Sequence, residues 1–170
     1  GTYASEIGRK VCNLCPGGQY QTLSGQSACK SCEPGYFCEA GSTKMTPCPN
    51  DDIATYSKSD EQNFCLACPK GTATSLTGQK ECQECPPGFY AGRTGLKECI
   101  ACPVGYFTNS SGSLERTPCG VGEYAEKEQS RSCTPCDIGK FQPDSKGSSC
   151  TECPRGKFAG NTGSFTSARN

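Results

Sequence analysis

The chain has 170 residues, of which 17 are cysteine, 21 glycine and 12 proline, and its 17 basic residues are balanced by 17 acidic ones. One cysteine in ten marks a disulfide scaffold suited to an oxidising compartment, secreted or at a cell surface, and the few Leu, Ile, Val and Phe exclude a single large hydrophobic core. The interspersed, balanced charges exclude a nucleic-acid footprint, no apolar run approaches the ~20 residues of a membrane helix, and a chain with no His lacks the commonest general base.

In chain order, residues 1–32 form a first repeat unit with an N-terminal lead-in, in which Cys15-Pro-Gly-Gly-Gln-Tyr20 leads to Gly25 and Cys29. Residues 33–64 break the pattern. Glu33-Pro-Gly-Tyr-Phe-Cys38 repeats the motif with an inserted cysteine, and Glu39 to Asn63 reads as a longer polar surface loop. Its Asn50-Asp51-Asp52 cluster lacks the spaced oxygen ligands of a calcium loop. From 65 to 170 the repeat is regular, because the second cysteine of each Cys-x-x-Cys pair recurs every 17 residues at Cys68, Cys85, Cys102, Cys119, Cys136 and Cys153. A fixed short period identifies a tandem array in which each unit contacts chiefly its neighbours.

Each repeat position has a physical reading. Proline after the cysteine fixes φ, and the glycine three residues past the cysteine suits a turn with φ > 0. The aromatic two residues later (Tyr20, Tyr90, Phe107, Tyr124, Phe141, Phe158) is expected to pack as core on the neighbouring disulfide. Ala73 replaces it in one unit, which is expected to be the least well packed. A second glycine (Gly25, Gly78, Gly95, Gly112, Gly147, Gly163) suits a hairpin tip. The expected fold class is small, disulfide-rich and mostly β or irregular: an elongated array of ~17-residue hairpin units.

The regular spacing offers a ladder of pairings: Cys15–Cys29, Cys68–Cys82, Cys85–Cys99, Cys119–Cys133 and Cys136–Cys150, with Cys48–Cys65 a longer version and Cys32–Cys38 a small loop. Spacing alone does not fix connectivity. The pairs also resemble zinc-ribbon spacing, but they form an unbroken series without His, and no thioredoxin-like helix start is present. Catalytic, cofactor and metal residues are therefore assigned to none of them. Arg116 stands where a cysteine is due, so Cys102 lacks its regular partner. Cys12 and Cys153 sit near the ends of a chain that reads as a window of something longer. These three are candidates for bonds to adjacent segments or protomers, and Cys102–Cys119 is the alternative pairing. Asn109-Ser110-Ser111 is an N-glycosylation acceptor at a hairpin tip, whereas Asn63-Phe64-Cys65 is the rarer cysteine variant.

The pattern Cys-Pro-x-Gly-x-Tyr/Phe…Gly-x3-Cys-x2-Cys, clearest over Cys85 to Cys102, resembles the ephrin-receptor-like cysteine-rich repeat, related in style to TNF-receptor and EGF-like modules. The resemblance spans residues 12–163, with departures at Arg116, at Gly120 in place of proline, and in 33–64. It implies a non-catalytic extracellular stalk of β-hairpin units. The function expected is a structural spacer in a secreted surface or filament protein, with neighbouring repeats or protomers and an N-linked glycan as partners. The rival reading is a receptor or adhesion ectodomain binding a protein ligand, with 39–64 as the expected patch.

Overall fold

The computed structural model describes residues 1–8, 10–51, 53–58 and 62–155, together with the backbone strands Phe158–Ala159 and Phe165–Thr166. Gly156, Gly163 and the side chain of Phe158 lie outside the described residues. Each strand is two residues long and pairs with its sequence neighbour, and no helix occurs among the described residues. Units this short hold no more than a minimal hairpin, such as Tyr106–Phe107 against Thr117–Pro118 or Glu123–Tyr124 against Thr134–Pro135. The fold is disulfide-rich and mostly β or irregular.

Two compact units arise, Gly1–Gln83 with Thr94–Glu98 and Glu84–Arg93 with Cys99–Asn170. Each is built by the same local logic. A turn follows the buried cysteine: in the second unit Tyr106 N donates to Pro103 O at 3.2 Å, and Gly105 between them has φ 77°. That conformation is strained for a residue with a Cβ. Close approach adds a second requirement, because a Cβ on Gly105 would run into the carbonyl of Lys146.

The buried cysteine is a backbone junction. Cys102 N donates to Gly88 O at 2.9 Å in the preceding repeat, and Cys102 O accepts from Gln129 N at 2.8 Å in the following one. Cys119 repeats this with Gly105 O and Lys146 N, both at 2.9 Å. In the first unit Cys48 does the same with Gly35 O at 2.9 Å and Gly78 N at 3.0 Å. A parallel bridge from the aromatic position to the next hairpin tip adds to it, as in Tyr20 with Ser42 and Tyr124 with Gly147. The backbone polar groups of these short strands are thereby satisfied without a wide sheet.

Several expectations need correction. The aromatics are only half-buried, Tyr20, Tyr90, Phe107, Tyr124 and Phe141 among them. The buried side chains among the described residues are those of the cysteines that open the repeats, from Cys15 to Cys136, and a series six residues past them, Gln21, Cys38, Thr74, Ala91, Thr108 and Ala125, with Ala54, Ser57, Ala73 and Leu96 beside them. The interior is too narrow for rings, which lie over it instead. Ala73 is not loosely packed: it is 6% exposed and bridges through its backbone to Leu96, itself 7% exposed.

Gly147 is not the left-handed tip residue. Lys146 is, at φ 69°, and Gln129 holds the same place at φ 63° in the repeat without a tip glycine. The hydrogen bond from the tip N–H to the cysteine carbonyl sets that position, whatever residue stands there.

Glu39 to Asn63 is not a plain loop either, and it continues the repeat that Glu33 to Cys38 begins. Residues 33–64 hold the hairpin Tyr36–Phe37 with Thr46–Pro47 and the strand Thr55–Tyr56, which pairs with Leu66–Ala67. Cys68 N donates to Ala54 O where other repeats use a glycine carbonyl, and Ser57 is fully buried at the small-residue position. The extra length therefore lies between Cys48 and Ala54.

Candidate functional site

Seven disulfides tie the hairpins: Cys15–Cys29, Cys32–Cys38, Cys48–Cys65, Cys68–Cys82, Cys85–Cys99, Cys119–Cys133 and Cys136–Cys150. Five of them span 14 residues, with Cα atoms 5.6–5.8 Å apart. Cys12, Cys102 and Cys153 carry free thiols and are respectively exposed, buried and partly buried. Cys119 is bonded to Cys133, so the alternative Cys102–Cys119 pairing does not occur. A bond from Cys102 to a second chain would need an accessible sulfur, and Cys102 is 0% exposed.

The missing bond creates the most distinctive surface of the second unit. A cysteine 14 residues past Cys102 would fall at 116, where the chain has Arg116. Its side chain turns outward rather than toward the sulfur. Nη1 donates to the Tyr90 hydroxyl at 2.5 Å, and the guanidinium carbon lies 4.7 Å from the Tyr106 ring centroid and 5.4 Å from that of Tyr90. Lys146 Nζ stands 5.9 Å from the Tyr106 centroid. Tyr90, Tyr106 and Arg116, with Gly92, Leu114 and Glu115, line an open groove of about 300 Å³. Inside, the Cys102 thiol meets the Thr108 hydroxyl at 3.7 Å, and that hydroxyl accepts from Gly88 N at 2.8 Å and donates to Phe89 O at 3.1 Å.

The corresponding groove two repeats on is smaller, about 180 Å³, and lined by Tyr124, Glu126, Asp137, Lys140, Ser149 and Cys150. There Cys150 is held in its disulfide and Lys140 replaces Tyr106, with Asp137 as its ion-pair partner at 4.0 Å. Of these two grooves, the first alone sets a planar guanidinium beside two tyrosines.

Residues 71–119 and 122–169 match the family described as tyrosine-protein kinase ephrin type A/B receptor-like. The chain belongs to this ephrin-receptor-like family. Ephrin-receptor-like repeats of this chain are 32% identical over 84 residues to "Signal peptide, CUB and EGF-like domain-containing protein 2" of Danio rerio, covering 46% of the chain and 8% of that protein. They are 39% identical over 82 residues to "Sushi, von Willebrand factor type A, EGF and pentraxin domain-containing protein 1" of Mus musculus, covering 46% of the chain and 2% of that protein. The chain therefore spans a small part of the relatives it matches. It is a cysteine-rich segment of the extracellular, EGF-like class found in multi-domain proteins.

Within these ephrin-receptor-like repeats, Asn109 and Ser111 are exposed. Asp51 is exposed, its carbonyl accepts from Lys97 Nζ, and Asp52 lies outside the described residues. Sequence reasoning flagged Arg116 but missed Tyr106 and Thr108. A signal for Thr108 existed, since it stands six residues past Cys102 as Cys38 does past Cys32.

Proposed function

We propose that the chain is a non-catalytic spacer: a disulfide-clamped stretch of repeats that holds other parts of a larger extracellular protein apart. The observation carrying this reading is the cysteine junction, which hydrogen-bonds to the repeat before and the repeat after. Successive repeats so joined favour a fixed progression over a cavity for a substrate. Small-angle scattering tests it. An elongated profile that persists in salt supports a spacer, and a compact envelope overturns it.

A second reading, an adhesion or receptor segment that binds a protein ligand, is favoured by the Tyr90–Arg116–Tyr106 groove. Tyrosine and arginine are the residues enriched at binding hot spots. It moves the expected patch away from 39–64. Cell attachment to surfaces coated with the chain tests it: loss on Arg116→Ala supports the reading, and unchanged or absent attachment counts against it.

A further inference from the structure

In the second unit, the hairpins following Cys85, Cys119 and Cys136 are each closed by a disulfide, and the hairpin following Cys102 is not. That same hairpin carries Asn109-Ser110-Ser111. We propose that Asn109 carries an N-linked oligosaccharide and that this glycan shields the unclamped hairpin from proteolysis.

The geometry suits an acceptor. Asn109 follows the strand Tyr106–Phe107 and comes directly after Thr108, which is 3% exposed and hydrogen-bonded to Gly88 and Phe89. The anchor is therefore rigid, and the acceptor beside it is exposed. Ser113 Oγ donates to Ser110 O at 2.7 Å and holds the turn around the motif, while Ser111, the hydroxyl residue the motif requires, is exposed.

Two cysteine variants of the motif fare differently. In Asn13-Leu14-Cys15 and Asn63-Phe64-Cys65 the third residue is committed to the disulfides Cys15–Cys29 and Cys48–Cys65.

The donor is an oligosaccharide linked through pyrophosphate to a lipid. The Asn109 side-chain nitrogen bonds to the anomeric carbon as the bond from that carbon to the pyrophosphate oxygen breaks. One amide proton leaves, and the lipid pyrophosphate departs with the bonding electrons. The relatives named for a signal peptide fit a route through the compartment where this transfer occurs.

The shielding follows from what the missing disulfide does. An uncross-linked loop opens locally more often than a clamped one, and a bulky polar glycan at its tip obstructs a protease. The test uses the full chain secreted from a eukaryotic host. Peptide mapping after enzymatic removal of N-glycans is expected to find Asn109 converted to aspartate. The glycan should be lost in Asn109→Gln and in Ser111→Ala, retained in Ser111→Thr, and unaffected by Asn63→Gln. Limited proteolysis of Asn109→Gln is expected to cut within 103–116 several-fold faster than wild type. Unmodified Asn109 in the secreted chain overturns the site, and a modified Asn109 with equal cleavage rates overturns the shielding.

Discussion

The repeat opened by Cys48 lengthens the regular 14-residue disulfide to 17, and two others, opened by Cys32 and Cys102, lack any such bond and make up for it differently. In the repeat opened by Cys32, Met45 stands where the partner cysteine is due, and its sulfur accepts from Glu33 N at 3.4 Å. Cys32 instead bonds Cys38, six residues on in the small-residue interior. In the repeat opened by Cys102, Arg116 occupies the partner position and the interior residue six on is Thr108, whose hydroxyl meets the thiol without a covalent bond. Both repeats still deliver the same backbone bonds, Cys48 N to Gly35 O and Cys119 N to Gly105 O, each at 2.9 Å. The hairpin geometry is thus set by the turn and the junction. The disulfide acts chiefly by restricting the unfolded chain, so it can be relocated or dropped at a cost in stability rather than in shape.

The sharpest test restores the regular bond. Arg116→Cys should join the new thiol to Cys102 and stabilise the chain by about 3 kcal/mol in denaturant unfolding, with the gain abolished by reductant. No gain would mean that the two sulfurs do not meet.

Converting one repair into the other comes next. Cys38→Thr places in the first unit the hydroxyl that Thr108 supplies in the second, and should lose about 2 kcal/mol, the value of the smaller covalent loop. Equal stability would show that the hydroxyl is as good a closure as the bond.

Thr108→Val keeps the volume but removes the hydroxyl from Phe89 O, and should cost about 1–2 kcal/mol. Arg116→Ala leaves the interior alone and removes the cation beside two rings with its exposed hydrogen bond to the Tyr90 hydroxyl, so a loss of about 0.5–1 kcal/mol is expected. A larger loss would make the arginine a structural replacement for the disulfide rather than a surface feature. The smallest effect concerns reactivity alone: under native conditions a maleimide should label Cys12 rapidly, whereas Cys102 should react only once the chain unfolds.

The period of 17 residues, the hairpins and the left-handed turn glycines were legible because each is tied to a residue type that recurs. Gly18, Gly35, Gly71, Gly88, Gly105, Gly122 and Gly139 all have positive φ. The interior was not legible, because at the position of Gln21, Cys38, Thr74, Ala91, Thr108 and Ala125 burial recurs while the residue type does not, and polar and apolar side chains are mixed without period. The aromatics drew attention as the largest apolar groups, yet a repeat with a two-residue strand has no room to enclose a ring. Residues 33–64 were misread because a cysteine moved inward and three residues were added before Ala54, which hides an intact hairpin from a spacing argument. Arg116 was legible as an irregularity. What it does was not, since the tyrosines flanking it are Tyr90, from the preceding repeat, and Tyr106, from the facing strand of its own hairpin.

The cysteine junction carries a rule about inheritance. Each junction binds the preceding turn and the following tip, and the bonds from Gly41 N to Cys15 O and from Gly78 N to Cys48 O form even where the step departs from 17 residues. A duplication of the whole 17-residue step re-creates every bond with nothing to adjust. Such a chain grows and shrinks in integers. Smaller changes in length survive where the junction bonds are kept, as with one residue fewer before Gly41 and three more before Ala54.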